Sequence, residues 1–161
     1  MLYKNELGMM GTPMYLTVAA ITASAIFVIF AHSINNLAEE SQTDIAKKQI
    51  EKIISEVENM FEYADSGSKI TVDVNFPKSM SFAVFGAMPE NTVSEPLNIV
   101  FNENMSNNYY FVMQNREICT YSSNARFCGE SIDKIAVLHH GEYSVCLELV
   151  STGGKTYVKI Y

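Results

Sequence analysis

Eighteen consecutive residues, 14–31, carry no charge: Met-Tyr-Leu-Thr-Val-Ala-Ala-Ile-Thr-Ala-Ser-Ala-Ile-Phe-Val-Ile-Phe-Ala. At helical rise such a run covers roughly 27 Å, close to the hydrocarbon thickness of a bilayer. Apolar side chains fall on every side of the helical wheel, so no face is left for water. A core helix of a soluble domain does not fit, because the remaining sequence reads as short strands that cannot wrap it. A removed secretory signal fits poorly as well. Its apolar region is usually only about 7–15 residues long and ends at a small-residue cleavage site, whereas here Ala31-His32-Ser33 follows and the helical pattern continues. The run is therefore expected to be a retained membrane-spanning helix.

Residues 39–64 contain no proline and no glycine. Ile34, Leu37, Ile45, Ile50, Ile53, Ile54, Val57, Met60, Phe61 and Ala64 recur at the three-and-four spacing of an amphipathic helix, opposite Lys48, Glu51, Lys52, Ser55, Glu58 and Glu62. Thr12 and Pro13 suit the N-cap and first turn, and Gly67 suits the stop. The expected organisation is a stub over residues 1–11, a membrane-spanning or filament-core helix over 12–38, an amphipathic extension over 39–66 and a β domain over 67–161. The stub is too short to fold, and this asymmetry places the β domain outside the membrane.

From Lys69 the period changes to two. Residues 70–76, 82–85, 97–101, 109–113, 117–121, 126–128, 143–150 and 155–161 read as strands, with a loop at 89–96. The fold class predicted is α+β: a long N-terminal helix followed by an antiparallel β-sheet or small β-sandwich.

A net charge of −7 and a pI near 4.9 argue against nucleic acid as partner and provide no polybasic segment for anionic lipid. No nucleophile elbow, phosphate-binding glycine loop, HExxH or DxDxDG pattern is present. The expectation is a non-enzymatic protein with no cofactor, no catalytic residue and no metal site. Adjacent His139 and His140 point to opposite faces of a strand, which suits a polar turn better than one metal ion.

The spacing of two cysteines carries a specific expectation. If residues 122–125 form a four-residue hairpin loop, Cys119 stands opposite Cys128, close enough to bridge, and an extracellular pair oxidises. Cys128 with Cys146, or three unpaired thiols, are the other arrangements. Asn104-Met105-Ser106 is the one N-x-[ST] sequon, making Asn104 a candidate glycosylation acceptor.

A helix apolar first and amphipathic second, ahead of a β domain, is the layout of type IV pilin-like proteins. The stretch Gly8-Met-Met-Gly-Thr-Pro-Met-Tyr-Leu-Thr-Val-Ala-Ala-Ile-Thr-Ala-Ser-Ala-Ile-Phe resembles the start of archaeal pilins and archaellins. That resemblance implies a class III signal peptide cut after Gly8 by a prepilin peptidase, leaving Met9 first. It implies lipid as the helix's surroundings before assembly, and other pilin-like subunits, identical or different, as partners in a filament. Leu16, Ala19, Ala20, Ala23, Ile26, Phe27 and Phe30 would then lie in the filament core. The implied function is a major or minor surface filament subunit. The alternative is a bitopic membrane protein whose external β domain binds a ligand or acts as an archaellum-accessory, stator-type anchor.

Overall fold

The computed structural model describes residues 11–89 and 99–161, with side chains from Met14 onward. The expected processing site at Gly8 and Met9, and nearly all of the 89–96 loop, lie outside the described residues. The chain divides into two units, Met1–Ser41 and Gln42–Tyr161.

One α-helix, α1 (Gly11–Tyr63), runs for 53 residues. It stops where Gly67 takes a φ of 93° and its N–H bonds the Leu149 carbonyl at 2.7 Å. In the first unit α1 is the only element among the described residues.

The second unit adds eight strands: β1 (Lys69–Phe76), β2 (Met80–Phe85), β3 (Asn108–Met113), β4 (Ile118–Ser122), β5 (Phe127–Cys128), β6 (Ala136–His139), β7 (Gly141–Thr152) and β8 (Lys155–Ile160). They form two four-stranded sheets, ordered β1-β7-β8-β5 and β4-β3-β2-β6. All pairings are antiparallel except β5 with β8. The α+β expectation, a long helix ahead of antiparallel sheets, holds.

The inner faces of both sheets share one core with the apolar stripe of α1. Ala46, Ile50, Ile53, Ile54, Val57 and Met60 from the helix meet Val72, Val74 and Phe76 of β1, Leu147 of β7, and Phe85 and Phe111 of the other sheet. Fully burying a side chain such as Ile53 or Phe111 contributes about 1.5–3 kcal/mol. Phe127 ties the sheets together, with its ring edge-on to both Phe85 and Tyr109. A second, smaller cluster of Phe82, Val84, Ala87, Tyr110 and Val112 covers the other face of the second sheet.

These two environments explain the strand sequences. β1 has one wet face and alternates, with Thr71, Asp73 and Asn75 exposed and Val72, Val74 and Phe76 buried. β2 and β3 are buried on both faces and read as apolar runs from Phe82 to Phe85 and from Tyr109 to Met113.

Four expectations need correction. Residues 99–101, inside the strand expected at 97–101, are irregular, and β6 arises where only a turn was expected. The hairpin predicted to bring Cys119 to Cys128 does not form. Residues 123–126 instead cross from one sheet to the other. Phe127 enters the shared core, its N–H bonds the Ser106 carbonyl at 2.7 Å, and β5 pairs with β8. Cys119 therefore faces Phe111, Cys128 faces Lys159, and Cys119, Cys128 and Cys146 are all free thiols. The Cys128–Cys146 arrangement fails too, because β8 lies between their strands.

Candidate functional site

Helix propensity and the lack of any breaker carry α1 through its apolar half, so the functional question is what those side chains meet. Among the described residues nothing buries them. Leu16 is 72% exposed, Phe27 73% and Phe30 64%. Ala19, Ala20, Ala23 and Ile26 are exposed as well. These seven follow three-and-four spacing along one side, yet Val18, Ile21, Val28 and Ile29 are equally uncovered. The seven predicted residues thus share a helix face, but accessibility does not single that face out.

Three hydroxyls in this segment are reconciled with an apolar surrounding. The Thr22 hydroxyl donates to the Val18 and Ala19 carbonyls, both at 3.0 Å, Ser24 to Ala20 at 2.8 Å and Ser33 to Ile29 at 2.9 Å. Each hydroxyl proton is satisfied inside its own helix, so none requires water. The most apolar 18-residue window has a mean hydropathy of 2.2, and no part of it is buried. The helix is long and apolar enough to cross a membrane.

Past Ser41 the same helix behaves differently. Its apolar stripe is inside the core, and its open side carries Asp44, Lys48, Glu51, Lys52, Ser55 and Glu62. Two of its side chains close the free edge of β1, an arrangement the sequence did not reveal because the partners lie more than twenty residues apart. Gln49 accepts from the Asn75 N–H and Lys52 donates to the Asp73 carbonyl.

In the β unit no three His, Cys, Asp or Glu side chains among the described residues are grouped for a metal ion. His139 places Nδ1 3.3 Å from the Ser81 carbonyl oxygen, and His140 is exposed. A cleft of about 370 Å³ is lined by the polar side chains of Gln49, Asp73, Asn75, Glu142 and Ser144 together with Val74 and Tyr143. Its groups are already engaged: Ser144 donates to Asp73 at 2.7 Å and Asn75 to Glu142 at 3.1 Å. Burial pushes the Cys128 thiol up to about 11 and, with Glu117 nearby, raises that of Cys119. Neither is an activated nucleophile.

Asn104 sits exposed in a 3₁₀ turn (Glu103–Met105) between β2 and β3. Glu103 accepts from Lys155 and from the Tyr157 hydroxyl, which fixes the turn against β8. The hydrogen bonds from Lys155 and Tyr157, and then the Lys155 charge, hold the Glu103 carboxyl below the usual carboxylate range.

No protein-family model, curated protein or solved structure matches the chain.

Proposed function

We propose that the protein is a type IV pilin-like subunit of a surface filament, held by the apolar half of α1. One observation carries this reading. A single helix leaves its first half uncovered among the described residues and inserts the stripe of its second half into the core of the β unit. A helix so divided calls for an apolar surrounding from elsewhere along one part of its length. Before assembly that surrounding is lipid. In the filament it is the same helix of neighbouring subunits, packed through Leu16, Ala19, Ala20, Ala23, Ile26, Phe27 and Phe30, with the β unit outside. A prepilin peptidase would cut between Gly8 and Met9.

Intact mass of the native protein and analysis of sheared surface material test this. A mature N-terminus at Met9, with the protein in sheared filaments, is the expected result. A retained Met1, with the protein confined to membranes, would replace this reading with that of a bitopic protein bearing an external β domain.

A further inference from the structure

We propose that Asn104 carries an N-linked glycan and that it is modified only before the β unit folds. The proposal rests on the reading that the β unit lies outside the membrane.

The acceptor and its recognition element are in opposite states. The Asn104 side chain is exposed, with no hydrogen-bond partner for its amide among the described residues, and only its backbone N–H is engaged, by Asn102 Oδ1 at 3.0 Å. The Ser106 hydroxyl is the group a transferase must engage two residues on. Ser106 is 1% exposed, and its Oγ donates to the Glu103 carbonyl at 2.8 Å. Its own carbonyl accepts from Phe127, a core residue, and Glu103 is held by Lys155 and Tyr157. The sequon cannot open without releasing bonds to β5 and β8. An unfolded segment presents both groups freely; the folded turn presents only the asparagine. A glycan already attached points outward and is compatible with the fold.

The donor is an oligosaccharide linked through phosphate to a membrane polyprenol. Asn104 Nδ2 forms a bond to the anomeric carbon as the bond from that carbon to the phosphate oxygen breaks. The lipid phosphate leaves with the electron pair, and one amide proton passes to solvent. Nothing is oxidised or reduced.

The test expresses the full chain in an exporting host that makes N-glycans and compares intact masses after detergent extraction. Asn104→Gln is the primary variant. Gly154→Asn supplies a reference sequon, Asn-Lys155-Thr156, in the exposed β7–β8 turn, where φ is 76° and asparagine is tolerated. The expected result is one glycan mass on the parent chain, none on Asn104→Gln and two on Gly154→Asn. A glycan on the reference sequon but none at Asn104 overturns the proposal and leaves the external placement standing. None at either site overturns both. A second measurement fixes the timing. A purified oligosaccharyltransferase with lipid-linked donor is expected to modify a peptide of residues 99–110 and to leave the folded, unglycosylated chain in detergent unmodified. Equal rates on the two would overturn the order of events.

Discussion

Gln49 Oε1 accepts the backbone N–H of Asn75 at 3.1 Å. Asn75 lies on β1, an edge strand whose other side is paired with β7, so this N–H points away from the sheet. Lys52, three residues further along α1, donates to the Asp73 carbonyl on the same edge at 2.6 Å. The helix therefore fills the core through its stripe and also occupies the donors and acceptors through which an open edge recruits a foreign strand. Gln49→Ala and Lys52→Ala are each expected to cost about 0.5–1.5 kcal/mol, read as a lowered thermal midpoint in detergent. The double variant should in addition self-associate, detectable by light scattering. Unchanged midpoints would show that water replaces both groups without loss.

The cysteines give a sharper result. Cys128 is fully buried, and burial pushes its thiol up to about 11; Cys119 and Cys146 are only part-covered. Under non-reducing conditions the intact mass should correspond to three free thiols. Alkylation of the folded chain should label Cys146 and Cys119 well before Cys128, which reacts at the rate set by local opening. A peptide joining Cys119 to Cys128 in a non-reducing digest would contradict the two-sheet arrangement.

How far the fold was legible depended on whether the deciding contacts were local. The helix was readable because charge, propensity and stripe all repeat within one turn of each other, from Ile50 to Met60. β1 was readable from its alternation, and β7–β8 from Gly153 and Gly154 between them, both at positive φ. The crossing at residues 123–126 was not readable. Four polar or small residues between two short apolar runs look the same in a hairpin and in a crossover. The choice is made by Phe127 finding Phe85 and Tyr109 far away in sequence. β6 was missed because Ala136-Val-Leu-His is too short to show a period. The apolar helix face was legible as a surface, but its occupant is not encoded in any single segment.

Tyr109 offers a pH signature of the core. It is buried between Tyr121 and Phe85, and burial first, with the Glu58 charge second, raises its phenol to about 12. The folded value exceeds the unfolded one, so the folded state holds the proton more tightly. The stabilisation is complete below about pH 10 and is lost as pH rises through the folded value. Ultraviolet titration should show a late-ionising tyrosine that disappears in Tyr109→Phe. The variant should also lose less stability than the parent between neutral pH and strong alkali. An unchanged titration curve would place Tyr109 in a wetter site than its stacked neighbours indicate.

The division of α1 at Ser41 predicts two phases of behaviour in one chain. The intact protein should sediment with membranes after alkaline washing and require detergent for release. A chain limited to Gln42–Tyr161 keeps the whole stripe from Ala46 to Met60 and both sheets. It should remain in the supernatant with the β-rich circular dichroism of the parent's β unit. Ala23→Asp, near the middle of the uncharged run, places an ion where insertion costs roughly 2.5–3.5 kcal/mol and should move a substantial fraction of the full chain out of the membrane. Ser55→Asp adds the same charge on the open, polar side of the helix and should leave the distribution unchanged. Equal effects of the two substitutions would mean that the apolar half of α1 is not held in lipid.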